Sequence, residues 1–412
     1  MSQKIFIVII GVLALLVLGL FGAAFFIARD TGVPTGEVLR DILPFGGSSI
    51  DAPVGSGLAP TPRAEDASDN LTQTPTGSLL QQITMQPIAG ATTYMLPTDK
   101  TTRVLYVEKS TGNVFSYDPK TRIAQRITNT TIPGIQEVIW GKDRVILRYL
   151  DENDVIKSWS SALTSSMIEA GSAQRLEGSF LSDDIQSIVP SPNKSQIFYL
   201  SLASNSIVGA VTNFSGENKK QVFESTFTEW SPQWSGERTV ALTSKPSAGI
   251  GGHLFFLNIS TGVLQSTLGN LPGLVTKTSS GELYVAFSVN DKNESPQLHI
   301  YNKKKESSAP LPLVTFPDKC AWSVLDEEIL YCGVPDSFPR AAYPDSWYQG
   351  IFSSTDSLWK INAVSGATEI IAIPTQVAQK EMDVENPFLD KNEEYLLFTN
   401  KKDSSLWSLK LR

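Results

Sequence analysis

A run of β-branched and aromatic residues recurs seven times between Arg103 and the end of the chain, and this repeat constrains the fold more than any other feature. The runs, such as RVLYVEKS and QIFYLSLA, begin at residues 103, 144, 196, 238, 282, 328 and 395. Shorter runs of similar character accompany most of them, separated by turns of Gly, Asn, Asp, Ser and Pro. Four strands per unit with a period of about 45 residues are typical of a β-propeller. The sequence therefore predicts an all-β fold, a seven-bladed β-propeller.

The two ends of the repeat region complete each other. The last unit ends at SLWSLKLR, which supplies a third strand and no fourth. A counterpart of the missing outer strand precedes the first unit, where SLLQQIT (residues 78–84) resembles the fourth-strand sequence RIAQRIT. If this N-terminal strand completes the last blade, the ring closes and no unpaired edge is left there. We therefore predict that the propeller is closed by a strand from its N-terminal side.

The first 77 residues differ in composition from the repeats. Ile5 to Ala28 is an uncharged apolar run of 24 residues, and as a helix it is long enough to cross a hydrocarbon layer of about 30 Å. The run exceeds the apolar region of a signal peptide, about 7–15 residues, but the small residues at 22–24 leave cleavage as an alternative. Residues 30–77 are rich in Gly, Pro, Ser and Thr, which predicts a flexible tether.

These features predict three segments: a transmembrane anchor at residues 1–29, a tether at residues 30–77 and the propeller at residues 78–412. Lys4 and the N-terminal amine favour a cytoplasmic N-terminus. The chain is then a single-pass protein of the cytoplasmic membrane with an extracytoplasmic C-terminal domain. The strands of each blade are lettered a to d from the centre outward, so the N-terminal strand that completes the last blade is a d strand. The tether then enters the propeller on the face that carries the c–d turns. We expect that face to be directed towards the membrane.

Cys320 and Cys332 lie on either side of the sequence LDEE, which has the character of a turn between two apolar runs. Residue 326, the midpoint between the two cysteines, falls within this turn, so a hairpin would place the two side chains opposite each other. Their spacing fits no metal-binding motif. Outside the cytoplasm such a pair is expected to form a disulfide. The alternative is two buried thiols that pack as small apolar side chains.

Composition and motifs argue against several activities. The net charge of -8 and the lack of a basic stripe exclude nucleic acid as the expected partner. His253 and His299 have no ligands at metal-binding spacing, and no nucleotide-binding or nucleophile-elbow motif occurs. We therefore predict no cofactor, no metal site and no catalytic residues. The alternatives to a protein-binding module are an enzyme acting on envelope polymers, of the lyase, lactonase or glycosidase type, and a glycan-binding module.

The sequence PQWSGERTVALTS, residues 232–244, resembles the approximate pattern P-x-W-S-P-D-G-x-x-I-A-F-x-S of the TolB-like periplasmic propellers. SPNKSQIFYLS and FLDKNEEYLLFTN are degenerate copies of it. The resemblance covers about residues 78–412 and implies a bacterial envelope adaptor that binds other proteins. No Trp-Asp dipeptide occurs, so WD-repeat proteins match less closely. TolB-like proteins are typically soluble in the periplasm, so the apolar N-terminal run is a departure and their particular partners are not transferred.

The sixth unit contains an insertion rich in aromatic residues. Residues 335–357 separate EILYCGVP from SLWKIN, whereas other units need only a few residues at this b–c connection. One hypothesis is that the insertion binds an envelope protein or glycan, since Tyr and Trp offer large, rigid contact areas. The alternative is that its aromatic side chains fold down and cover the blade edge or the channel mouth. The candidate binding residues are Tyr343, Asp345, Trp347, Tyr348 and Phe352, with Trp347 and Tyr348 as the anchors.

Overall fold

The computed structural model describes residues 79–412, apart from residue 171 and residues 292–293. Within this part of the chain, the strands form seven four-stranded antiparallel sheets. We call the sheets blades 1 to 7 and the strands of each blade a to d from the innermost outward. The predicted seven-bladed propeller is therefore confirmed. The predicted anchor and tether lie outside the described residues, and no helix among residues 79–412 is long and apolar enough to span a membrane.

Blades 1 to 6 are each built from four consecutive strands, whose central b strands carry the repeated apolar runs. The first three blades consist of β2 (Ile88–Met95), β3 (Thr102–Glu108), β4 (Val114–Asp118) and β5 (Ile123–Arg126); β6 (Glu137–Trp140), β7 (Arg144–Leu150), β8 (Ile156–Ala162) and β9 (Gly178–Phe180); and β10 (Ile185–Pro190), β11 (Gln196–Leu202), β12 (Ile207–Asn213) and β13 (Lys220–Ser225).

The next three blades follow the same order. They consist of β14 (Trp230–Trp234), β15 (Thr239–Ser244), β16 (Gly251–Asn258) and β17 (Leu264–Pro272); β18 (Val275–Thr278), β19 (Tyr284–Asn290), β20 (Pro296–Asn302) and β21 (Ser307–Val314); and β22 (Cys320–Trp322), β23 (Ile329–Pro335), β24 (Asp356–Asn362) and β25 (Thr368–Ala372). Helices in the described part of the chain are short and lie in connections: α1 (Ser165–Glu169), α2 (Asp345–Tyr348), α3 (Pro374–Val377) and a 3-10 turn, Pro317–Lys319.

Blade 7 combines both ends of the propeller. Its three inner strands are β26 (Val384–Leu389), β27 (Tyr395–Asn400) and β28 (Ser405–Lys410), and its outermost strand is β1 (Leu80–Gln82). Leu80 lies opposite Leu409 in this antiparallel pair, and Leu80 is fully buried. The predicted closure of the ring by an N-terminal strand is therefore confirmed.

The core is divided into layers between neighbouring blades, because each b strand is covered on both faces. Between blades 5 and 6, for example, Leu298, Leu330 and Ile361 pack together and are fully buried. Gly333 of β23 shows how close this packing is, since a Cβ there would lie 2.5 Å from the Cβ of Val384 in blade 7. A larger residue at this position would push the two blades apart.

Cys320 lies directly opposite Cys332 in the pairing of β22 with β23, and the two form a disulfide. Both side chains are buried between blades 5 and 6. The predicted disulfide is therefore confirmed, together with the hairpin from which it was inferred.

Candidate binding site

The insertion of blade 6 connects strands b and c and occupies residues 336–355, between β23 and β24. It lies on the face that carries the b–c turns and the connections between blades. The described chain begins on the opposite face, where the backbone N–H of Lys410 donates to the carbonyl of Leu79 at 2.8 Å. The insertion and the point of chain entry are therefore on opposite faces of the propeller.

Aromatic side chains hold the insertion against the propeller. Trp347 stacks on Phe316, with 5.4 Å between the ring centroids. Tyr343 meets Phe352 edge to face at 5.2 Å and Phe338 at 5.1 Å. Tyr343 and Trp347 are only 1% and 2% exposed. This part of the insertion therefore forms a small core of its own on top of blades 5 to 7.

A buried charged cluster lies beneath that core. Lys319, at the end of the 3-10 turn, donates to Asp356 Oδ2 at 2.7 Å, to Ser354 Oγ at 2.8 Å and to Asp383 Oδ1. All three charged side chains are fully buried. Lys319 precedes the a strand of blade 6, Asp356 begins its c strand and Asp383 precedes the a strand of blade 7. The cluster therefore joins the base of the insertion to two blades.

The two carboxylates of this cluster have opposite pKa shifts. Burial raises the pKa of Asp356, even though Lys319 opposes this shift. Burial alone would also raise the pKa of Asp383, but Lys319 and hydrogen bonds from Trp347 and Ser354 hold it below its usual value. Asp383 is therefore the carboxylate that the surrounding donors stabilise in its ionised form.

Trp347 packs above this cluster and also forms a hydrogen bond with it. Its indole Nε1 donates to Asp383 Oδ1 at 2.9 Å. In addition, Lys401 Nζ lies 3.9 Å from the ring centroid and donates to the Trp347 carbonyl at 2.6 Å. Burial lowers the pKa of Lys401. The position that we expected to anchor a ligand is thus occupied by intramolecular contacts in this structure.

The five predicted binding residues therefore fall into two groups. Tyr343 and Trp347 are buried and Phe352 is half-buried, as the covering alternative expects. Tyr348 is 41% exposed, and its hydroxyl donates to Asp318 at 2.6 Å. Asp345 is half-buried at the edge of the insertion. Of these five residues, only Asp345 and Tyr348 therefore offer side-chain polar atoms at the surface. Ligand binding by the insertion stays a prediction.

Asp345 reaches across to blade 4. Its Oδ2 accepts a hydrogen bond of 2.6 Å from the backbone N–H of Ala248, in the b–c turn between β15 and β16. Beside this contact is a cleft of about 750 Å³, between that turn and the connection from blade 3 to blade 4. Its walls are mostly apolar and include Phe227, Trp230, Ile250, Phe255 and Leu264, with Asp345 at one side.

No sequence pattern indicates this cleft. Its walls come from positions between Ser225 and Leu264, and the insertion that supplies Asp345 follows much later in the chain. One signal was present, because Ile250 lies between two glycines in a turn, where a large apolar residue has little to pack against. Ile250 is 71% exposed in the structure.

A second, smaller cavity of about 250 Å³ lies at the channel mouth, where the a strands of blades 7, 1 and 2 meet. Lys109, Glu137 and Glu385 line it. Burial raises the pKa of Glu385, and the charge of nearby Asp383 adds to this effect while Lys401 opposes it. Charged groups of both signs therefore line this cavity.

The two histidines do not lie together. His253 lines the cleft of blade 4, whereas His299 stacks on Phe287 at 5.1 Å, and burial lowers the pKa of His299. Among residues 79–412, no group of three or more His, Cys, Asp or Glu side chains is arranged to hold a metal ion.

Comparison with known proteins gives similarity in fold only. No family model matches the sequence, and no curated protein matches it. An oligogalacturonate lyase solved in complex with manganese is similar in structure, with a TM-score of 0.50 and 9% identity over 79% of this chain and 97% of the lyase. TolB from Acinetobacter baumannii has a TM-score of 0.40 and 12% identity over 78% of this chain and 79% of TolB.

The propeller domain of the Trilobed protease from Pyrococcus furiosus is a further structural neighbour, with a TM-score of 0.42 and 9% identity. It aligns with 64% of this chain and 76% of that domain. TolB is thus among the propellers that this chain is similar to. At these identities, the shared fold does not carry a shared function.

Proposed function

We propose that the chain is a membrane-anchored, extracytoplasmic propeller that acts as a protein-binding or scaffolding module at the cell envelope. Residues 5–28 would hold it in the cytoplasmic membrane, with residues 30–77 as the tether. The observation that carries this proposal is the position of the blade 6 insertion, on the face opposite the entry of the chain. A tethered module that binds partners away from its membrane needs its binding surface on that face.

Within the insertion, Tyr348 and Asp345 are the residues proposed to contact the partner directly. Tyr343, Trp347 and Phe352 would hold them in place, because a rigid support lowers the entropy lost on binding. The charged cluster of Lys319, Asp356 and Asp383 fixes the base of the insertion and so supports the same role.

Capture of partners from the protein's own envelope extract tests this proposal. A Tyr348→Ala, Asp345→Ala double variant should lose capture of a protein partner at a temperature well below its own melting temperature, where the variant is still folded. Leu325→Ala is the matched control, since Leu325 is 58% exposed on the opposite face. Unchanged capture by the double variant would contradict the proposal, and capture of envelope polysaccharide instead of protein would favour the glycan-binding alternative.

Topology is tested separately, by adding protease to intact cells, or to spheroplasts if the cells have an outer membrane. We expect the propeller to be cleaved together with an extracytoplasmic control protein. Protection of the propeller while that control is cleaved would overturn the proposed orientation and location. The enzyme alternative stays a prediction, which turnover of envelope polymers by the purified chain would support.

A further inference from the structure

The cleft of blade 4, between its b–c turn and the connection from blade 3, has the volume and lining of a ligand pocket. Trp230 lines it and meets Phe227 and Phe255 edge to face, with ring centroids 5.0 Å and 5.8 Å apart. Phe227 is nevertheless 47% exposed. Ligand pockets typically measure about 300–1,000 Å³ and combine apolar walls with a few polar groups. The cleft, at about 750 Å³, falls within this range.

The charged side chains around the cleft include one more carboxylate than ammonium groups. Lys245 and Glu229 form an ion pair of 2.7 Å at its rim. Asp345 has no such partner, because no Lys or Arg nitrogen of the described chain lies within 4.0 Å of its carboxylate. Its Oδ2 accepts from Ala248, which leaves Oδ1 able to accept another hydrogen bond. The carboxylates of Glu229 and Asp345 and the ammonium group of Lys245 thus carry a net charge of about -1 between them.

We propose that this cleft binds a small organic amine in its protonated form, carried on an apolar or aromatic body. The apolar body would pack against Phe227 and Phe255, and the ammonium group would approach Asp345. Trp230 lines the same cleft, and indole is the aromatic side chain that attracts cations most strongly. This inference concerns a different ligand class from the proposed protein partner and does not depend on that proposal.

Three probes of similar size and different charge test the inference. Phenylbutylamine, phenylbutanol and phenylbutyrate would each be titrated calorimetrically into the purified full chain at one ionic strength. We expect the amine to bind about threefold to fivefold more tightly than the alcohol, as a partly exposed ion pair provides. The carboxylate should bind most weakly. Equal binding of amine and alcohol, or no binding by any probe, would overturn the proposal.

Variants locate the site. Asp345→Asn removes the charge while its amide oxygen can still accept from Ala248, so the preference for the amine over the alcohol should disappear. Glu152→Gln is the matched control, because Glu152 is exposed in the b–c turn of blade 2 on the same face. Phe227→Ala should weaken binding of all three probes. If Asp345→Asn fails to fold, the probe series on the unmodified chain decides the question.

One further titration distinguishes a site for a free amine from a site for a peptide. An acetylated, amidated dipeptide of phenylalanine and lysine carries the same chemistry on a backbone. If this peptide binds in the cleft and phenylbutylamine does not, the cleft is a peptide-docking surface and the proposal is wrong. An amine preference that persists in Asp345→Asn would also overturn it, because the charge that selects the ligand would then lie elsewhere.

Discussion

Trp347 and Asp383 are joined by a buried hydrogen bond of 2.9 Å between the indole Nε1 and the carboxylate Oδ1. The two residues belong to different blades, since Trp347 is in the blade 6 insertion and Asp383 precedes the first strand of blade 7. Asp383 also accepts from Lys319, Ser353 and Ser354. The bond therefore fastens the insertion to a fully buried ionised group, which makes it a strong contact.

Trp347→Phe tests the strength of this contact. Phenylalanine keeps an aromatic ring at this position, but it is smaller than the indole and lacks the N–H donor. We expect the free energy of unfolding to fall by about 1.5–3 kcal/mol, the range for hydrogen bonds to charged groups. Denaturant unfolding measures it. Ile351→Ala, in the same insertion and 75% exposed, should change stability by less than about 0.5 kcal/mol. Equal effects of the two substitutions would contradict this role of Trp347.

The disulfide should stabilise the chain mainly by restricting the unfolded state. It closes a short loop between Cys320 and Cys332, for which chain-entropy estimates give about 3 kcal/mol. A Cys320→Ala, Cys332→Ala variant should therefore unfold at lower denaturant concentration than the oxidised chain. Once the wild type is reduced before unfolding, most of the difference should vanish. Mass spectrometry of non-reduced peptides that found two free thiols in protein from its native compartment would refute the disulfide.

Alanine substitutions at two adjacent leucines, Leu79 and Leu80, test the closure of the ring. Leu80 is fully buried in the outermost strand of blade 7, whereas Leu79 is 58% exposed. Leu80→Ala should cost about 2–5 kcal/mol, as is typical for a buried leucine. Leu79→Ala should be nearly neutral. If thermal unfolding shows similar effects for both, the N-terminal strand contributes little to holding the last blade.

Glu385 leads to a prediction of pH dependence. Burial raises its folded-state pKa, so its ionisation is easier in the unfolded chain. The folded state is therefore penalised as the pH rises above the unfolded value of about 4.3, and the penalty is complete above the folded pKa. Glu385→Gln should raise the melting temperature at pH 7 and leave it unchanged below about pH 4. A stabilisation that is the same at both pH values would show that ionisation of Glu385 is not its cause.

The sequence alone determined the architecture of residues 79–412, because a propeller repeats its local pattern in every blade. Each unit carries its own strand periodicity and turns, so the blade count could be read from the spacing of the runs. The completion of blade 7 by the first strand was recognisable because that strand resembles the fourth strands of other units. The disulfide was predictable for a similar reason, since Cys320 and Cys332 belong to one hairpin.

Only the tertiary structure decided which residues of the insertion are buried and what surrounds them. Trp347 and Tyr348 are adjacent and similar in character, yet one is 2% and the other 41% exposed. The difference arises because three separate segments of the chain converge on Trp347, with the side chains of Phe316, Lys319, Asp383 and Lys401. The blade 4 cleft and its contact with Asp345 likewise join segments about 100 residues apart, and local sequence patterns do not encode such contacts.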